Sequence, residues 1–200
     1  MSDINVIFKN NAQWAEQVLK RDPEYFSARA TSQAPQYLWI GCSDSRVSAN
    51  LITGLKPGEI FVHRNIANLV VPGDLNCLSV IKYAVDVLKV RHIIVVGHYG
   101  CGGVYAALEN QKHGLVDNWL KQIRDVRDKH SHVLNGLADQ QTRWDKLCEL
   151  NVIQQVQNVA DSSIVSATWE RKQEISVYGC IYNLNNGLLK DLGCQIDLPH

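Results

Sequence analysis

The stretch "LNCLSVIKYAVDVLKVRHIIVVGH", residues 75–98, decides the fold. Its first part sets Leu78, Ile81, Val85 and Leu88 on one helical face, and its last part is a short β-branched run closed by a glycine and a histidine. Just upstream, "EIFVHR" (59–64) is bounded by turn residues and reads as a strand. Strand, helix, strand implies a right-handed βαβ crossover. Working outward, "YLWIGC" (37–42) is a further buried strand, which suits a mostly parallel sheet. Residues near 5–20 place Val6, Ile7, Trp14, Val18 and Leu19 at roughly helical spacing, with Pro23 as a breaker. Downstream, helices are expected around 104–111, around 117–130 and through 145–172. "ISVYGCIYNLNNGLLKDLG" (175–193) then reads as two strands around Asn185-Asn186-Gly187, a hairpin signal. The expected fold class is α/β: a mostly parallel sheet with an antiparallel edge strand, covered by helices. It forms one domain over 1–200, with a helical arm (1–34) ahead of the α/β core (35–200).

Composition limits what such a domain does. With 46% hydrophobic residues, the 200-residue chain has enough apolar material for one sizeable core. Twenty basic and twenty acidic residues cancel, so no electrostatic footprint for nucleic acid or anionic membranes is expected. The start "MSDINVIFKNNAQWAEQVLK" has no basic region, apolar middle or cleavage site, and no apolar run approaches the roughly 18 residues of a membrane span. A cytoplasmic location is the expectation. Six cysteines in a chain of this length suit buried thiols and metal ligands rather than a disulfide framework.

In open α/β sheets, functional groups gather beyond the carboxyl ends of the strands. Two chemically unusual segments sit there: "CSDSR" after strand 37–41 and "HYGCGG" after strand 91–97. Together they supply Cys42, Asp44, His98 and Cys101, a complete tetrahedral set for zinc. His-x-x-Cys lets two ligands from one turn reach the same ion, and Cys-x-Asp brings two more from a second loop. Competing motifs fail. The glycines around Gly97, Gly100, Gly102 and Gly103 do not make G-x-G-x-x-G, because Tyr105 holds its last position, and no Lys-Ser/Thr follows for a P-loop. A cysteine phosphatase needs an arginine where Ser48 stands.

"CSDSRV" followed by "GHYGCGG", with "LNCLSVIKYAVDVLKVRHIIVVGH" and "DNWL", resembles the β-class carbonic anhydrases, and within them the bacterial bicarbonate-regulated (type II) subgroup. The likeness runs from about Gln33 to Gly187. It implies reversible hydration of carbon dioxide to bicarbonate and a proton, by attack of zinc-bound hydroxide, with one zinc per subunit on Cys42, His98 and Cys101. Asp44 and Arg46 would form the catalytic dyad. Asp44 would also become the fourth ligand in a closed, inactive state, which bicarbonate held by Trp39, Arg64 and Tyr182 would favour. The resemblance further implies that Gln33, Phe61, Ile66 and Tyr83 bind substrate, and that the N-terminal helix is an arm across a partner. A homodimer is expected, with a tetramer as a dimer of dimers left open because the chain stops soon after the edge hairpin.

The residues carry part of this chemistry themselves. Zinc acidifies bound water, but two thiolate ligands donate more charge than imidazoles, so activity should favour alkaline pH. Arg46 would keep Asp44 ionised, and a permanently ligated Asp44 would not need it. Other readings remain open: a structural four-ligand zinc, a bicarbonate sensor without turnover, a carbon disulfide or carbonyl sulfide hydrolase, or a redox module on Cys42 and Cys101. Cys77, Cys148, Cys180 and Cys194 have no partner set and read as structural. His63, His92, His113, His130, His132 and His200 form no ligand spacing.

Overall fold

The computed structural model describes residues 3–198, so His200 lies outside the described residues. Two compact units are present, Met1–Gln33 and Ala34–His200. The first holds α1 (Ile4–Arg21) and α2 (Ser27–Ala30). Asp3 caps α1 by accepting the Asn5 N–H at 3.0 Å, and Lys20 and Arg21 sit in the last turn, where cations favour the helix dipole. Trp14 of α1 meets Tyr25 and Phe26, which follow the helix, edge to face. The helical spacing of Val6, Ile7, Trp14 and Leu19 is realised, yet α1 has no buried residue.

The second unit runs β1 (Tyr37–Cys42), α3 (Ala49–Thr53), β2 (Ile60–Asn65), α4 (Leu75–Asp86), β3 (His92–His98), α5 (Gly102–Leu108), α6 (Val116–Lys129), α7 (Ser131–Asn135), α8 (Gln140–Ala160), α9 (Ser163–Glu170), β4 (Ser176–Asn183) and β5 (Leu188–Asp191). The strand order is β2-β1-β3-β4-β5, with β5 antiparallel and the other pairings parallel. Alternate side chains separate onto two faces, as a pleated strand requires. Leu38, Ile40, Ile93, Val95 and Val177 pack against Val152, Val156 and Val159 of α8 and Val165 of α9. Trp39 and Val96 pack on the other face with Val47 and Ala49. A third apolar cluster, drawn largely from α5, α6, α7 and α8, includes Cys42 and Cys101.

One expectation shifts at its edge. α4 stops at Asp86 although the helical spacing of apolar residues continues to Leu88, because Lys89 takes a left-handed φ of 56° and the Val90 N–H turns back to the Ala84 carbonyl, a Schellman-type stop. The hairpin forms around Asn185-Asn186-Gly187 as expected, its strands joined through residues 184–187, with Gly187 at φ 72° and its N–H on the Asn183 carbonyl at 2.8 Å. What matters for the site is that β1 lies between β2 and β3. The chain leaves β1 toward one side and β3 toward the other, so a crevice opens between their carboxyl ends.

Candidate metal centre

Cys42 is the last residue of β1, His98 the last of β3, and Cys101 the residue just before α5. Parallel pairing of Gly41 with Val96 brings these ends level. Left-handed Gly100, at φ 70°, lets the chain turn so that Cys101 faces back toward His98. Their ligand atoms all lie within 4.8 Å of one another, the only such group among the described residues. The two sulfurs are 4.0 Å apart. Thiolates bound tetrahedrally at about 2.3 Å from one ion stand about 3.8 Å apart, so the spacing needs little adjustment.

The imidazole is set for ligation too. Its Nδ1 lies 2.9 Å from the Tyr99 carbonyl, an acceptor only, so Nδ1 carries the proton and Nε2 presents a lone pair. His98 is 1% exposed, and its Nε2 has no hydrogen-bond partner. A buried imidazole nitrogen facing two thiols without a partner fits a metal ligand.

Charge follows the same arrangement. The Cys101 thiol beside Cys42, together with His98 and the backbone N–H groups of Asp44 and Ala67, stabilises the Cys42 thiolate against desolvation and draws its pKa down to about 4. Cys101 moves the other way, since the Cys42 sulfur beside it and its own burial both resist a second negative charge. For His98, burial favours the neutral ring, but Cys42, the Tyr99 carbonyl and Asp44 outweigh it and raise its pKa. A divalent cation would resolve this crowding of proton acceptors.

Asp44 stands at the rim. Its Oδ1 accepts from the Arg46 backbone N–H and Nε, both at 2.9 Å, and its Oδ2 from Arg46 Nη2 at 2.7 Å. This bidentate guanidinium pair holds the carboxyl well below the usual carboxylate range. Asp44 Oδ2 is also 3.7 Å from His98 Nε2. The carboxylate is thus turned toward Arg46, within reach of the ligand cluster.

The remaining predicted residues fall in different places. Arg64 spends its guanidinium on backbone, Nε to the Cys42 carbonyl at 3.0 Å and Nη2 to the Asp44 carbonyl at 2.6 Å. Trp39 and Tyr182 belong to one apolar cluster, and the Trp39 indole lies over Gly41, which pairs in register with Arg64. Phe61 and Tyr83 have ring centroids 5.9 Å apart. Ile66 packs beside Gly103, while Gln33 ends the first unit. Of the other cysteines, Cys77 and Cys148 are buried and burial raises both thiols. Sequence reasoning missed Tyr99, whose hydroxyl donates to Glu149 Oε1 at 2.7 Å while its carbonyl holds His98. No motif marks it.

Comparison with known proteins agrees with this geometry. The carbonic anhydrase family model matches residues 37–189. A carbonic anhydrase of Emericella nidulans is 49% identical over 96% of this chain and 84% of its own length. One from Saccharomyces cerevisiae is 34% identical over 94% of this chain and 88% of its own. Among solved structures, a Coccomyxa β-carbonic anhydrase in complex with acetazolamide superposes with a TM-score of 0.93 at 45% identity, covering 98% of this chain and 89% of that one. A tetrameric β-carbonic anhydrase of Sordaria macrospora gives a TM-score of 0.91 at 39% identity, over 96% and 98% of the two chains. No helix among the described residues is long and apolar enough to cross a membrane.

Proposed function

This chain belongs to the β-class carbonic anhydrase family and is a carbonic anhydrase, and we propose that Cys42, His98 and Cys101 hold one zinc ion per chain while Asp44 and Arg46 act on the attacking oxygen. The observation that carries this reading is the unpartnered Nε2 of buried His98 facing two sulfurs. When bound, zinc supplies the Lewis acidity that makes hydroxide available near neutral pH; carbonic anhydrase is the standard example of that chemistry. Thiolate donors temper this acidity, so turnover rises toward alkaline pH.

The protein's own groups do the rest. Asp44, ionised by Arg46, accepts a hydrogen bond from the attacking oxygen's remaining proton and so directs its lone pair at carbon dioxide. Phe61, Ile66 and Tyr83 supply an apolar wall for that substrate. The helix α1, with Ile4, Ile7 and Phe8 exposed, serves as the arm across a second copy in a dimer or in a tetramer built from dimers. All six cysteines are free, which suits the reducing cytoplasm that ligand thiols need.

Regulation follows the bicarbonate-responsive pattern of the bacterial subgroup. Arg64 now fastens the carbonyls on either side of Ser43. Bicarbonate at Trp39, Arg64 and Tyr182 competes for that guanidinium, frees the Asp44 segment and lets Asp44 turn onto the ligand cluster. Because bicarbonate binds this closed state better, it shifts the population toward inactivity. Trp39→Phe and Tyr182→Phe are expected to weaken bicarbonate inhibition, and unchanged inhibition in both variants removes the switch.

The test of the catalytic reading pairs metal content with turnover. Cys42→Ser should lose zinc and carbon dioxide hydration together. Asp44→Asn should keep zinc yet lose about a hundredfold or more in kcat/KM. A Cys42→Ser protein with full zinc and full turnover overturns the assignment.

A further inference from the structure

The turn between His98 and Cys101 holds Gly100 in left-handed backbone, at φ 70°. Glycine lets the turn close, and it also leaves the two halves of the turn free to shift against each other. The structure anchors both halves from outside. On the far side of Gly100, the Cys101 carbonyl accepts from Trp144 Nε1 of α8 and from the Tyr105 N–H, each at 3.0 Å. On the near side, the Tyr99 N–H donates to the Tyr182 carbonyl of β4 at 3.0 Å. The Tyr99 side chain reaches α8 instead, where its hydroxyl donates to Glu149 Oε1 at 2.7 Å. Trp144 and Glu149 belong to one helix, so α8 is a common frame for the turn.

Glu149 is built as an anchor rather than as a surface charge. Its side chain is 14% exposed, and Lys190 Nζ of β5 donates to Oε1 at 2.9 Å while Lys146 Nζ donates to Oε2 at 3.0 Å. A largely buried carboxylate with a charged donor on each oxygen is held in one orientation. Tyr99 is therefore fixed at both ends, its hydroxyl on α8 and its carbonyl on His98 Nδ1 at 2.9 Å. We propose that Glu149 is a positioning residue for the metal centre: by holding the Tyr99 hydroxyl it fixes the turn whose carbonyl orients the His98 ring. The inference rests on the zinc reading above. It extends that reading to a residue 50 positions away from the tyrosine it holds. The effect is geometric. Without the anchor the turn moves about Gly100, the imidazole loses its set direction, and part of the binding free energy goes into ordering the ligands.

Tyr99→Phe removes one oxygen and keeps the ring, so it isolates the hydroxyl. The experiment measures zinc affinity by chelator competition, with the visible absorption of the cobalt-substituted protein, which reports ligand geometry, as second readout. Tyr99→Phe and Glu149→Ala are each expected to bind zinc about tenfold more weakly and to shift the cobalt bands. Because Glu149 acts through Tyr99, the double variant should bind no more weakly than either single one. The network supplies its own control. Lys146→Met removes a donor from the other oxygen of Glu149, so it should lose stability in urea but keep wild-type affinity. A merely structural network would change stability alone in every variant. Wild-type affinity in Tyr99→Phe, losses that add in the double variant, or an equal loss in Lys146→Met overturns the proposal. If Glu149→Ala does not fold, Tyr99→Phe and Lys146→Met decide by the same criteria. Wild-type protein whose cobalt form shows no thiolate charge-transfer band overturns the zinc reading itself, and the proposal with it.

Discussion

At Cys42 the Cys101 sulfur stands 4.0 Å away, and on Asp44 a single guanidinium makes two parallel bonds. These residues differ in what their loss should do. Arg46→Ala leaves the three ligands intact and frees the Asp44 carboxylate. The expected result is retained zinc with hydration reduced about a hundredfold, measured by metal analysis and stopped flow on one sample. Loss of zinc from Arg46→Ala would contradict the dyad. At this scale the ligands were legible because each closes or follows a strand, so a three-residue motif carried its own address. The bond from Asn151 Nδ2 of α8 to the Ala67 carbonyl, 3.0 Å long, was not: Asn151 stands at helical spacing with Gln155 and Asn158, which in sequence looks like an ordinary polar face, and Ala67 gives no hint of left-handed backbone because it is neither glycine nor asparagine.

Between elements, a tight constraint lies where α8 crosses the sheet. A Cβ on Gly97 of β3 would come within 2.5 Å of Val152 Cγ2, so Gly97→Ala must separate strand from helix. It is expected to cost about 1–3 kcal/mol in urea unfolding, and a neutral effect would contradict the packing. A second link ties α8 to the loop after β3 and to β5: Glu149 accepts from Tyr99 at 2.7 Å, Lys190 at 2.9 Å and Lys146 at 3.0 Å. Burial alone would raise its pKa, but these three donors outweigh burial and lower it from 4.5 to about 2. The stabilisation is therefore present above pH 4.5 and lost as pH falls toward about 2. Glu149→Gln should flatten the acid limb of stability against pH in that window, and an unchanged limb would remove Glu149 from acid stability. The strands and most helices were readable from apolar periodicity. The early end of α4 was not, because Lys89 in a left-handed cap carries no glycine signal.

For the whole molecule, the exposed apolar residues of α1 point to assembly. Phe8 is 65% exposed and Ile7 61%, and the family includes tetrameric members such as that of Sordaria macrospora. Light scattering of the full chain should give a mass at least twice 22.5 kDa, and Phe8→Asp should shift it toward the single chain. A monomeric wild type at working concentration would contradict the arm. The fold class and the crevice at the β1/β3 switch point were legible because alternating strands and helices leave few topologies. The long-range hydrogen bonds that tune the crevice were not, since sequence shows spacing along the chain and not the contacts that folding makes across it. The proposed function is hydration of carbon dioxide in this crevice, with zinc held by Cys42, His98 and Cys101. Its most direct test is stopped-flow hydration by protein carrying one zinc per chain, from about pH 6.5 to 9, a range that brackets ionisation of water at zinc. Turnover that rises toward alkaline pH is the predicted result; zinc-loaded protein without turnover at any pH in that range would contradict it.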